Sequence, residues 1–129
     1  TLRTVSFTGG TPVDLETVGS ATQMVAHGAY VYWMVRNHNP LDRIARHSPA
    51  GGTEILLQGQ TVQALHTDGT NLFYILWDGG NFTPLYSKPL AGGTPKNLGT
   101  VFTGGPIYGV DATYVYYRGN FSLAMKVAK

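Results

Sequence analysis

The chain has 129 residues, of which 43% are hydrophobic and 12% charged, with 17 glycines, no cysteine and a formal net charge of +2. That is the length of one domain, and the glycine-rich, weakly charged composition suits an all-β protein with much buried sheet surface. Lack of cysteine excludes disulfides and sulfur-ligated zinc, no apolar run reaches the ~18 residues of a membrane span, and nine scattered basic residues form no stripe for nucleic acid.

Residues 1–8 lead into Gly9-Gly10-Thr11, and the same triplet returns at Gly51-Gly52-Thr53 and Gly92-Gly93-Thr94, at offsets of 42 and 41. Because residues 1–8 match the segment ahead of each later pair, the sequence is expected to open inside a repeat, with more chain ahead of it. A second motif keeps the same step: His27-Gly28-Ala29-Tyr30-Val31-Tyr32-Trp33, Asp68-Gly69-Thr70-Asn71-Leu72-Phe73-Tyr74 and Asp111-Ala112-Thr113-Tyr114-Val115-Tyr116-Tyr117. Two markers in one register, at a period of ~40 to 45 residues made of strand-like segments, point to β-propeller blades.

The middle repeat shows how such a blade is built. Val62 to Asp68, Asn71 to Trp77, Leu85 to Leu90 and Pro95 to Leu98 read as four strands. Asp68-Gly69-Thr70 supplies the first turn, because aspartate bonds its own downstream backbone and glycine accepts positive φ. Gly92-Gly93 supplies the hairpin between the third and fourth strands. The near-continuous apolar run of the second strand fits a sheet covered on both faces. Extended along the chain, the scheme gives two strands in 1–16, four in 21–58, four in 62–99 and three in 106–128. The expected fold is a single all-β unit over 1–129, about three four-stranded antiparallel blades of a β-propeller, open until further sequence or another copy closes the ring. In a two-copy ring, residues 12–16 would supply the missing fourth strand, and residues 1–8 would compete with 121–128 for one third-strand place.

Val110-Asp111-Ala112-Thr113-Tyr114-Val115-Tyr116-Tyr117, together with Lys88-Pro89-Leu90-Ala91-Gly92-Gly93-Thr94-Pro95, resembles the blade repeat of bacterial TolB-like and YWTD-type six-bladed propellers. The resemblance covers nearly the whole chain and implies a six-bladed fold and an extracellular, periplasmic or cell-surface location. The chain departs from that pattern where His27 replaces the turn aspartate and where Tyr74 and Tyr117 replace the tryptophan kept at Trp33. The aspartate that follows the tryptophan is absent from all three repeats, and with it any ligand role linked to that position.

On such scaffolds function is carried by loops. The connections between second and third strands, Arg36-Asn37-His38-Asn39-Pro40, Trp77-Asp78-Gly79-Gly80-Asn81 and Arg118-Gly119-Asn120, fall at one end, and their unequal lengths suit a specific surface. Arg36, His38 and Trp77 lead the ligand-binding set, since an aromatic platform beside planar donors fits a sugar or a peptide backbone. Asp78, Asn81 and Arg118 complete it. The competing reading has Trp77 capping a blade edge and the arginines ending solvated strands.

His27, His38, His47 and His66 lack the spacing of convergent ligands, so no metal and no cofactor is expected. His27 reads as a turn residue and His66 as a packed or water-linked side chain on an inner strand. Of the carboxylates only Asp42 and Asp78 fall near the ligand end, and Ser6, Ser48 and Ser87 lack the strand–turn–helix setting of a nucleophile, so no catalytic residue is assigned. The leading expectation is a non-catalytic binding or structural module for a protein or carbohydrate ligand. The alternatives are a lectin, which requires aromatic loop residues repeated from blade to blade, and part of a propeller lyase or hydrolase whose active site needs blades outside this chain.

Overall fold

The computed structural model describes residues 2–5, 8–16, 20–36, 42–48, 50–120 and 123–129. Among them run β1 (Leu2–Thr4), β2 (Val13–Glu16), β3 (Ser20–His27), β4 (Tyr30–Arg36), β5 (Arg43–His47), β6 (Thr53–Gln58), β7 (Val62–Thr67), β8 (Asn71–Leu76), β9 (Phe82–Pro89), β10 (Lys96–Phe102), β11 (Ile107–Val110), β12 (Tyr114–Arg118) and β13 (Ala124–Ala128), with no α-helix. The strands form four antiparallel sheets, β1–β2, β3–β6, β7–β10 and β11–β13, each ordered as in the chain and none closed on itself.

The second strand of each larger sheet explains the arrangement. β4 reads Tyr-Val-Tyr-Trp-Met-Val-Arg and β8 reads Asn-Leu-Phe-Tyr-Ile-Leu, β-branched and aromatic residues that favour extended chain. Successive side chains point to opposite faces; because both faces are apolar, each strand has to be covered twice. Trp33 and Val35 pack with Leu2 and Leu15 of β1–β2, whereas Tyr32 and Met34 pack with Val62, Leu65, Leu72 and Tyr74 of the next sheet. On that sheet Phe73 and Ile75 turn the other way, onto Ile107, Val115 and Tyr117. The four sheets therefore stack face to face in chain order. At ~1.5–3 kcal/mol for each large apolar side chain taken out of water, this stacking outweighs any single turn.

Register is matched from sheet to sheet. Val31, Leu72 and Val115 are flanked across the sheet by Ala26 and His47, Thr67 and Lys88, and Val110 and Val127. Nearer the other end each first strand skips one residue in its pairing, leaving Thr22, Gln63 and Tyr108 as bulges. β12 has 5 residues against the 7 of β4. The difference is even, so the inward and outward faces are kept.

Turn residues act as their chemistry predicts. Asp68 Oδ1 accepts from the amides of Thr70 (2.9 Å) and Asn71 (2.7 Å), and Asp111 Oδ1 from those of Thr113 and Tyr114 (both 2.7 Å). Two boundaries differ from the sequence reading: β9 begins at Phe82, ahead of Leu85, and β10 runs to Phe102, past Leu98. Pro84 is accommodated because it lies beyond Leu85, the last residue of β9 paired with β8, so no ladder bond to that strand is forfeited. β10 continues past a bulge at Leu98 into Gly99 (φ 137°), with Asn97 Oδ1 accepting the Gly99 amide at 2.8 Å. β13 starts at Ala124, and Phe121 lies outside the described residues.

Gly92 and Gly93 hold φ of 100° and 131° in the β9–β10 connection, with the Gly92 amide donating to Pro89 O at 3.2 Å. A branched residue is strained there, so Gly93→Val is expected to lower unfolding free energy by more than ~1 kcal/mol. Urea denaturation measures this; an unchanged midpoint would mean that the pair is only a spacer.

Candidate functional site

At one end of the stack the last residues of β4, β8 and β12 lie against the residues that lead into β7 and β11. Arg36 ends β4 and its Nε donates to Val62 O at 3.0 Å. Trp77 follows β8, and its amide donates to the neighbouring carbonyl, Thr61 O, at 2.8 Å. Arg118 ends β12 and its amide donates to Pro106 O at 3.0 Å. These three side chains thus sit at the same place on three successive sheets, each at the entry to the next first strand or its own. All three are exposed, Trp77 by 51%.

A concavity of about 510 Å3 opens beside Arg36, lined by Thr22, Gln23, Met34, Arg36, Gln63 and Gly104–Pro106. Its walls are held by side-chain to backbone bonds between sheets. Gln23 both donates to Leu65 O and accepts from Leu65 N (3.0 Å each), and Gln63 Oε1 accepts from Gly104 N at 2.8 Å. Arg118 borders the same place, since its Cβ packs against Gly105. Thr22 and Gln63 reach the concavity as bulge residues. Sequence reasoning missed them, and their only signal was an uncharged polar residue breaking an apolar alternation.

Asp78 and Asn81 belong to a different feature. Asp78 Oδ1 accepts from Gly80 N at 3.0 Å, while Asn81 O and Gly80 O accept from the amide and hydroxyl of Thr103 at 2.9 and 2.6 Å. They close the tip of a ribbon in which β9 and β10 extend beyond β8. Phe82, 59% exposed, meets Phe102 edge-on there at 5.9 Å. Asp78 is thus engaged in a turn, and Asp42, the other carboxylate expected near this end, is 2% exposed and belongs to the interior. His38, with Asn37, Asn39 and Pro40, lies outside the described residues.

The opposite end carries a second concavity, of about 480 Å3, between the turns that follow β3, β7 and β11. His27 does not bond its own turn as Asp68 and Asp111 do; its ring rests on Gly69 of the next sheet. His66 Nδ1 lies 2.9 Å from the Thr67 amide nitrogen and 3.1 Å from the Thr67 carbonyl oxygen, so it accepts from the amide in one tautomer and donates to the carbonyl when protonated. Burial pushes His66 below its ordinary 6.5 and neighbouring His27 adds to this, against opposing contributions from Thr67 and Asp68. For Asp68 burial acts upward, but the Lys129 ammonium at 2.5 Å and the Asn71 and Thr70 amides prevail and lower it. Asp111 is lowered to about 2, chiefly by the Tyr116 hydroxyl at 2.6 Å and then by its turn amides. Among the described residues no three His, Asp or Glu side chains gather as metal ligands.

Comparison with family models, with curated proteins and with solved structures finds no match for this chain.

The pH dependence follows from these shifts. Below 6.5 the unfolded chain binds a proton that folded His66 resists, so stability falls as pH drops, and His66→Gln flattens that limb. Asp68 and Asp111 contribute stability above 3.8 that is lost as pH falls toward their lower folded values, giving a second decline. Urea midpoints between pH 7 and pH 3 test both signs; stability rising on acidification through 6.5 would contradict the assignment for His66.

Proposed function

We propose that the chain is an arc of a β-propeller and works as a non-catalytic binding module that takes an acidic protein segment across its loop end. The propeller assignment is supported by the four stacked antiparallel sheets and the ~40-residue sequence period. Its resemblance to six-bladed propellers extends the proposal to a ring completed by further chain or another copy, and to an extracellular, periplasmic or cell-surface setting. Arg36, Trp77 and Arg118 carry the binding assignment: two cations end the strands on either side of the sheet that carries an exposed indole, and Arg36 lines a concavity of mixed polar and apolar character. Such a row suits an extended segment with carboxylates flanking an apolar residue. A lectin-type sugar site is less well served, because arginines stand where neighbouring sheets would need aromatics.

Trp33 is fully buried and Trp77 is exposed, so ligand-induced changes in tryptophan emission report on Trp77. Titration with acidic peptides is expected to shift emission to the blue, in a salt-sensitive manner, and Arg36→Ala to weaken binding about tenfold. Oligosaccharides shifting the emission while acidic peptides do not would replace the peptide reading with a lectin; no response to either would remove the loop end as a binding surface.

A further inference from the structure

In the concavity beside Arg36 the side-chain acceptors are taken and donors are left over. Gln63 Oε1 accepts from Gly104 N at 2.8 Å, and because a backbone N–H can only donate, this bond fixes which way the side-chain amide faces. Its Nε2 is turned from Gly104 and keeps two N–H donors that have no acceptor among the described residues. Gln23 is already engaged, Oε1 accepting from Leu65 N and Nε2 donating to Leu65 O, both at 3.0 Å. Arg36 Nε donates to Val62 O, of the residue before Gln63, at 3.0 Å. The guanidinium is thus anchored by one nitrogen, and its two terminal nitrogens remain as a parallel pair of donors. No Asp or Glu is among the described residues that line this space.

Donors gathered without an acid suit an anion, and carbon sorts among anions. Met34 and Pro106 line the same space and offer apolar contact, which the methylenes of an aliphatic carboxylate can use and an inorganic phosphate cannot. A planar carboxylate also matches the paired terminal nitrogens of a guanidinium.

We propose that this concavity is a carboxylate site, in which the terminal nitrogens of Arg36 and Nε2 of Gln63 hold one ligand carboxylate whose methylene stem lies toward Met34. The proposal narrows the acidic-segment reading above and rests on it for the ligand: glutamate is the side chain with that acid on a two-carbon stem. A free aliphatic acid carries the same chemistry. Gln63 then sets specificity, since its spare N–H donors reward a carboxylate over the amide of a glutamine.

The test uses two end-capped peptides, one centred on Glu-Leu-Glu and one on Gln-Leu-Gln, with propionate as the free acid. Two signals are followed, Trp77 emission and the nitrogen-15 side-chain amide resonance of Gln63. The glutamate peptide is expected to bind about tenfold more tightly than its glutamine counterpart and to move both signals. Millimolar propionate is expected to move Gln63 by more than inorganic phosphate does. Gln63→Glu separates recognition from wall-building, because a carboxylate oxygen still accepts from Gly104 N while the spare donors give way to a like charge. It is expected to abolish the preference for glutamate with circular dichroism unaltered, and the wild-type Gln63 resonance decides independently of that variant. A glutamate peptide that moves Trp77 but not Gln63, or a preference that survives Gln63→Glu, overturns the carboxylate site and leaves the loop-end reading intact. Propionate moving Gln63 while neither peptide binds keeps the site for a free acid and removes the acidic segment. No response to peptide or propionate overturns both, and phosphate matching propionate overturns the choice of an aliphatic carboxylate.

Discussion

A strand with two apolar faces cannot be satisfied by one neighbour, and that constraint organises this molecule. β4 shows Tyr32 and Met34 to one side and Trp33 and Val35 to the other, and β8 divides Leu72 and Tyr74 from Phe73 and Ile75 in the same way. Each sheet must then lie between two others, and a chain of short meanders can meet that demand only by stacking them. The glycine pairs and aspartate turns shorten the connections so that one meander follows the next, but they do not choose the stacking. The alternation of the second strand does.

Stacking by apolar faces leaves sheets free to slide, and polar contacts between sheets limit that freedom. Gln23 mimics a backbone pairing with Leu65, Lys88 Nζ reaches Leu56 O at 2.7 Å, and Lys96 Nζ reaches Lys129 O at 3.2 Å. Each joins a side chain to a carbonyl or amide of another sheet, so it fixes position along the strand as well as distance. The consequence falls at the ends, where Arg36 and Trp77 are held on successive carbonyls and the spacing of the row they form with Arg118 is set by the stack. Among the described residues no helix braces this surface and the chain has no cysteine for a disulfide, so its spacing rests on these bonds between sheets.

Much of this was legible in the residues. Asp68 and Asp111 announced their turns because their function there is local, an oxygen bonding amides two and three residues ahead. The covered second strands were legible because period-two alternation with both phases apolar has one physical explanation. Gly99 and Pro84 misled because each breaks a strand by propensity alone, and each is rescued by a partner the sequence does not show: the Asn97 side chain in one case, the end of the β8 ladder in the other. The bulged Thr22 and Gln63 and the buried Asp42 were hidden for the same reason, since register and burial are set between strands. Of the site row, Arg36, Trp77 and Arg118 were found from their place after an aromatic strand, while the concavity beside them was not foreseen.

Face assignment of the second strands is the claim on which everything else rests, and side-chain nuclear Overhauser contacts read it directly. Ile75 should show cross-peaks to Val101, Ile107 and Val115, and Met34 to Val62, Leu65 and Leu72, with none joining Ile75 to Met34. Contacts between Ile75 and Met34, or their interchange between the two groups, would mean that the strands face the other way and that the sheets are not stacked in chain order.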